Sequence, residues 1–236
     1  MRASEGTSVS VERACEGHES AFSRLGAEWR EIQRNRHTTA GHWETKLHVL
    51  RAEEGRLRDS GSWVHGRSDY LGVLGRHRDE LAHSRMLAWL LDPCARHGLG
   101  TRVLAGVLRH ASPDATLPLG LERVNVFTEV VLGDGRLDIV VDAPSLYLVI
   151  ENKVDAHEGE GQCAYYVEHV QRADARFMLL SPDGRGSRDT PEFTPLRFSQ
   201  VAQILAAALR DAPDASDLGG RRIASDYLDT LRMEFR

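Results

Sequence analysis

Residues 136–153, Arg-Leu-Asp-Ile-Val-Val-Asp-Ala-Pro-Ser-Leu-Tyr-Leu-Val-Ile-Glu-Asn-Lys, constrain the fold more than any other stretch of the chain. Two aliphatic runs rich in β-branched residues, Leu137 to Val141 and Leu146 to Ile150, are separated only by Asp142-Ala143-Pro144-Ser145. Such runs suit a pleated, buried surface, and so short a connection between them makes an antiparallel hairpin. With the turn near Ala143 and Pro144, the numbers of paired residues sum to about 287 or 289 by strand parity. Asp138 and Glu151 then lie at the same open end of the hairpin. Glu151 and Lys153 share a face because side chains alternate with period two. The register puts Asp138 on that face too, whereas a slip of one residue would turn it to the other.

The lysine is informative because the chain hardly uses lysine. Of 30 Lys plus Arg, only Lys46 and Lys153 are lysines, so wherever a generic cation suffices this chain carries arginine. An ammonium at Lys153 points to a compact, proton-bearing charge that a guanidinium does not supply. Two carboxylates and an ammonium converging at the end of an apolar sheet are costly to desolvate unless they bind something. A hard divalent cation answers that cost, since Mg²⁺ takes one or two carboxylates together with waters and phosphate oxygens. The lysine could then orient or deprotonate an attacking water, or stabilise charge developing on phosphorus. The same residues could also form a plain salt bridge at a sheet edge.

Asp138 followed by Glu151-Asn152-Lys153 resembles the Asp…(D/E)-x-K signature of the PD-(D/E)XK nuclease superfamily. Gln162 and Tyr166 resemble the Q-x-x-x-Y element on the next helix of its RecB-like members. The run Glu80-Leu-Ala-His83-Ser84-Arg-Met-Leu-Ala-Trp-Leu-Leu-Asp92-Pro93, with His97-Gly98-x-Gly100 behind it, is similar to the opening of a bacterial family within that superfamily. The first motif reads Leu-Asp where the superfamily name has Pro-Asp, a change that leaves the carboxylate in place.

The resemblance implies a mixed α/β core like that of restriction endonucleases, cutting nucleic acid with Mg²⁺ or Mn²⁺. It assigns Asp138, Glu151, the Asn152 carbonyl and Glu80 to the metal and Lys153 to the water. The resemblance also makes His83 and Ser84 substrate-binding candidates, and His83, three residues after Glu80 on one helical face, could contact the scissile phosphate or orient Glu80. Gln162 and Tyr166, four apart on one face, could hold the nucleic-acid backbone or brace Lys153, with Tyr165 left to packing. Glu129 is a further carboxylate in a strand-like run without an assigned task.

Organisation along the chain agrees with that core. Residues 1–10 are polar and expected to fray. Residues 11–34 and 43–57 carry apolar residues at helical spacing (Phe22, Leu25, Trp29, Ile32; Trp43, Leu47, Leu50), so residues 1–66 form a helical arm. That arm is expected to pack on the rest of the chain or on a second chain. Residues 67–236 form the nuclease domain: helices over 69–91 and 101–110, strands over 124–132, 137–141 and 146–152, a helix over 159–172, a strand over 176–181, a short strand over 194–198, then helices over 199–210 and 224–235.

Composition sets outer limits. A formal net charge of −5 gives no global basic field, which counts against a high-affinity non-specific nucleic-acid coat but not against a local groove. Candidate local clusters are Arg76-His77-Arg78, Arg85, Arg96-His97, Arg102, Arg185 with Arg188, and Arg221-Arg222. Cys15, Cys94 and Cys163 have neither paired nor zinc-like spacing, as expected of free thiols in a cytoplasmic protein. No apolar run is long enough for a membrane span. The residues point to a metal-dependent nuclease acting on nucleic acid, most simply DNA; the resemblance implies a prokaryotic restriction or phage-defence setting, with control expected through a homo-oligomer or a regulatory protein. Two rivals share most of its residues: a non-catalytic nuclease-fold module that binds a partner through residues 1–65, and an RNA-cleaving effector.

Overall fold

The computed structural model describes residues 8–213 and 218–235, with side chains from residue 23 onward except at residue 37. The side chains of Cys15 and Phe22 lie outside the described residues, as do residues 1–7 of the segment expected to fray. The chain divides into two compact units, Met1–His65 and Gly66–Arg236.

The first unit is built on α1 (Ser8–Asp59), one continuous helix where the sequence suggested two helical stretches. The intervening residues 35–42 contain no proline. The hydroxyls of Thr38 and Thr39 donate to the carbonyls of Arg34 and Asn35, each at 2.8 Å, so these threonines join the helix rather than interrupt it. The helix stops at Gly61, whose φ of 68° is the left-handed conformation that lets its N–H turn back onto the Arg58 carbonyl at 3.0 Å.

The second unit holds a five-stranded sheet in the order β1 (Asn125–Leu132), β2 (Gly135–Ala143), β3 (Leu146–Asn152), β4 (Ala175–Ser181), β5 (Phe193–Arg197). The first three strands form an antiparallel meander, and β4 and β5 add on in parallel. Among the described residues six α-helices accompany it: α2 (Tyr70–Val73), α3 (Glu80–Leu91), α4 (Arg102–Ala111), α5 (Gln162–His169), α6 (Phe198–Asp211) and α7 (Leu218–Glu234). This is the mixed α/β sheet flanked by helices that the sequence implied, with a helical arm before it.

Alternation along the strands divides the core. Ile139, Val141, Leu148, Ile150, Met178 and Leu180 pack with α3, α4, α6 and α7, while Val140, Val149, Phe177 and Leu179 form the opposite layer with Cys163 and Tyr166 of α5. Fully buried aliphatic side chains such as these contribute roughly 1.5–3 kcal/mol each. Helix α5 supplies the crossover that two parallel neighbours, β3 and β4, require. It is shorter than the helix expected over 159–172, because Gly161 enters it at φ 69° and Val170 leaves in extended conformation.

The His97-Gly98-x-Gly100 motif belongs to the scaffold. The His97 ring is buried, its Nε2 is 2.8 Å from the Asp92 carbonyl oxygen, its Nδ1 accepts from the Leu99 N–H at 2.9 Å, and Trp89 packs against it edge to face. Helix α7 crosses this corner so closely that a Cβ on Gly220 would stand 1.9 Å from the Arg96 carbonyl oxygen.

Candidate active site

The β2–β3 register places the first two candidate residues. Ile139 faces Ile150 and Val140 faces Val149, giving the constant sum of 289, one of the two values expected from strand parity. Continued by one step, this register sets Asp138 opposite Glu151 on a common face. Pairing stops at Ile139–Ile150, and the Asn152 N–H donates to Asp138 Oδ2 at 2.8 Å. The Asp138 carboxylate therefore closes the end of β3.

On the other side of β2, Thr128 faces Ile139 and Val130 faces Leu137, so Glu129 falls opposite Asp138. Glu129 has φ 59°, the only positive value among the described non-glycine residues. That conformation costs roughly 1–2 kcal/mol for an L-residue with a Cβ. Its Oε2 meets Arg136 Nε at 2.9 Å.

Glu151 is the most confined member of the group, only 1% exposed. Its Oε1 meets Lys153 Nζ at 2.8 Å and accepts from Gln162 Nε2 at 2.7 Å, whereas Oε2 is buried with no hydrogen-bond partner. Gln162 also donates to the Tyr166 hydroxyl at 2.9 Å, and that hydroxyl donates to the Arg136 carbonyl at 2.8 Å. The Q-x-x-x-Y pair thus braces Glu151, where the sequence allows a brace on Lys153 or a hold on the nucleic-acid backbone.

Helix α3 supplies Glu80 from its first turn, capped by Asp79, whose carboxylate accepts from the Ala82 N–H at 2.9 Å. Glu80 Oε1 accepts from the N–H groups of Val154 (2.8 Å) and Ala156 (3.3 Å), the loop that follows Lys153. The same loop is held from outside by Arg78, paired with Asp155, and by Arg185, which donates to the Ala156 carbonyl at 2.8 Å. Of the arginine clusters noted in the sequence, these two therefore reach the end of the sheet that carries Glu151.

Two expectations are not met in this geometry. His83 is fully buried and does not line the cleft: its Nδ1 is 2.9 Å from the Tyr227 hydroxyl, its Nε2 is 2.8 Å from the His77 carbonyl oxygen, and Phe198 and Phe235 enclose it. Burial pushes its pKa down, so the ring is held neutral. Ser84 is also buried, donating to the Glu80 carbonyl at 2.9 Å and accepting from Asn152 Nδ2 at 3.0 Å. Both side chains anchor α3 to its surroundings, and neither lines the cleft around Glu151 and Lys153.

Glu80, Asp138, Glu151, Lys153, Gln162 and Tyr166 line one open cleft of about 700 Å³, together with Asp134, Arg136 and Tyr165. Tyr165, expected only to pack, accepts from the Asp134 N–H at 3.0 Å and forms part of the wall. Arg136 is exposed at the rim, and nothing in its spacing marked it beforehand. A second depression, about 830 Å³, lies at the opposite end of the sheet, but its Arg172 is already paired with Asp142 and Asp174.

Charges in the cleft are coupled. Burial and the neighbouring Asp138 carboxylate raise the Glu151 pKa to about 7, against the pull of Lys153 and Gln162. Burial raises that of Asp138 as well, opposed by the Asn152 N–H and Lys153 and assisted by Glu129 and Glu80. Burial alone would lower the pKa of Lys153, but Glu151, Asp138 and Glu80 outweigh it and hold the ammonium protonated.

Among the described residues no group of three or more His, Cys, Asp or Glu side chains is gathered closely enough to hold a metal by itself. The pair of carboxylates nevertheless suits a hard cation that keeps several waters. Glu151 Oε2 lacks any donor, and two neighbouring carboxyls resist ionising together in the absence of added positive charge.

A family model for the PD-(D/E)XK nuclease superfamily matches residues 68–192, a span that includes every candidate residue from Glu80 to Tyr166. The match covers more than half of the chain, which therefore belongs to the PD-(D/E)XK nuclease superfamily. Proteins of this superfamily are usually nucleases and typically use divalent metals. No curated protein matches the chain, and no solved structure does. Among the described residues no helix is long and apolar enough to cross a membrane.

Proposed function

We propose that the protein hydrolyses phosphodiester bonds of DNA with Mg²⁺ or Mn²⁺, in a restriction or phage-defence setting. The carrying observation is the unpartnered Glu151 Oε2, buried beside Asp138 while Lys153 and Gln162 both occupy Oε1. Asp138, Glu151 and the Asn152 backbone carbonyl would hold the cation, with Glu80 completing the set from α3. Bound there, the metal supplies a Lewis acid and lowers the pKa of its water. Lys153 keeps its proton in this arrangement, so it positions the attacking water and offsets charge developing on the phosphate. Gln162 and Tyr166 fix the Glu151 rotamer, and Arg136 at the rim meets backbone phosphates. The choice of DNA and of a defence setting rests on the resemblance of the motifs to restriction-type enzymes.

The purified chain is to be assayed on supercoiled, linear and single-stranded DNA and on RNA, with Mg²⁺, Mn²⁺ or EDTA. Cleavage of DNA with either metal and none in EDTA is expected. Asp138→Ala and Glu151→Ala should each lower the rate by on the order of a hundredfold or more, with circular dichroism unchanged. Full activity in either variant overturns the ligand assignment, and cleavage confined to RNA overturns the choice of substrate.

A further inference from the structure

We infer that α1 is a self-association helix that pairs antiparallel with α1 of a second copy of this chain. Leu25, Trp29, Ile32, Trp43, Leu47 and Leu50 are each about half exposed or more. At 3.6 residues per turn they fall on one narrow stripe, since Leu25 and Trp43 stand five whole turns apart and the others lie within about 40° of that line.

Such a helix is poorly equipped to stand alone. It carries Gly26, Gly41 and Gly55 in its interior, and no atom within 4 Å of the Cβ position of Gly41 or Gly55 makes either glycine a packing requirement. Each costs about 1 kcal/mol relative to alanine.

The stripe is nearly symmetric about a point between residues 37 and 38. Reversing the helix about that point sets Leu25 against Leu50, Trp29 against Leu47 and Ile32 against Trp43 of the second copy. Arg36 also lies on the stripe and falls opposite Thr39 and Ala40, about 4.5 Å along the axis from Arg36 of the second copy.

Charge selects this direction. On one flank the reversal brings Glu28 to Lys46 and Arg24 to Glu53 of the other copy, twice each by symmetry. A parallel, in-register pair would stack Glu54 on Glu54 along the stripe and bring Lys46 beside Arg51. Area agrees as well. The six exposed side chains offer roughly 700 Å² per chain, so the pair would bury about 1,400 Å², the range of a stable interface.

Light scattering and sedimentation of the 236-residue chain over a concentration series test this inference, which does not depend on nuclease activity. A mass twice 26.3 kDa is expected. Trp29→Glu with Trp43→Glu should weaken the dimer at least a hundredfold. Glu28→Lys and Lys46→Glu should each weaken it about tenfold, and the two together in one chain should restore it. Mixing the two single variants should likewise restore a dimer. A monomeric wild type, or a stoichiometric complex with a different protein in place of self-association, overturns the inference. So does a dimer indifferent to the Trp pair. Charge reversals that do not rescue one another overturn the antiparallel register. An unchanged strand signal in circular dichroism of the charge variants guards against misfolding of the sheet, because neither exchange alters an apolar residue.

Discussion

Lys153 carries its charge on a compact, largely buried head group at the wall of the cleft. Its side chain is 12% exposed and its Nζ shares a single Glu151 oxygen with Gln162. A guanidinium keeps the charge but presents a planar fork in place of a compact point charge. Lys153→Arg is accordingly expected to be nearly as slow as Lys153→Ala in single-turnover cleavage, and a wild-type rate with arginine would show that charge alone suffices. Glu129 offers a separate test at the same scale. Glu129→Gly removes the strain of φ 59°, so metal-free stability in urea should rise by about 1 kcal/mol. A fall would mean that the ion pair with Arg136 outweighs the backbone term.

Helix α3 does two jobs from two sides of one cylinder. Its first turn directs Glu80 to the loop beyond β3, and its buried side carries His83 and Ser84 into the core. Asn152 joins the two by donating to the Glu80 carbonyl at 2.8 Å. Removing the His83 ring leaves a cavity and strands the Tyr227 hydroxyl and the His77 carbonyl. His83→Ala should therefore cost about 2–4 kcal/mol in denaturant unfolding. Cleavage per folded molecule should stay within a few fold at a permissive temperature. A loss of a hundredfold or more with stability unchanged would return His83 to the reaction.

At the scale of the whole molecule, the cleft couples folding to pH and metal. Glu151 has a pKa of about 7 in the fold against an ordinary value near 4.3 in the unfolded chain, so between these limits the native state binds the proton more readily. Its contribution is favourable at low pH and is lost as pH rises through about 7. Buried His83 and His97, pushed down by burial, act in the opposite sense below about pH 6.5, and the raw profile of the wild type mixes the two effects. The difference from Glu151→Gln isolates the carboxyl. The variant should gain on the wild type by on the order of 2–3 kcal/mol between pH 5 and pH 8 without metal. Millimolar Mg²⁺ should stabilise the wild type at pH 8, more than at pH 5.5, and leave the variant nearly unmoved. A pH-independent difference would show that the Glu151 carboxyl does not hold its proton against burial and Asp138.

The local rules of the chain determined a good part of this. Strand alternation and a short turn are encoded within eighteen residues, so the hairpin, its parity and the joining of Asp138 with Glu151 and Lys153 were legible without knowing the rest of the fold. Gln162 and Tyr166 were legible as a pair for the same reason, four residues apart on one helix. What each group faces across space was decided only by tertiary packing. Tyr227, Phe198 and Phe235, which enclose His83, arrive from α6 and the C-terminal end more than a hundred residues later, and no spacing near Glu80 could report them. The left-handed Glu129 opposite Asp138 likewise follows from the meander of three strands. Sequence periodicity tells which side chains share a face; only the packed molecule decides whether that face meets solvent, a cleft or the core.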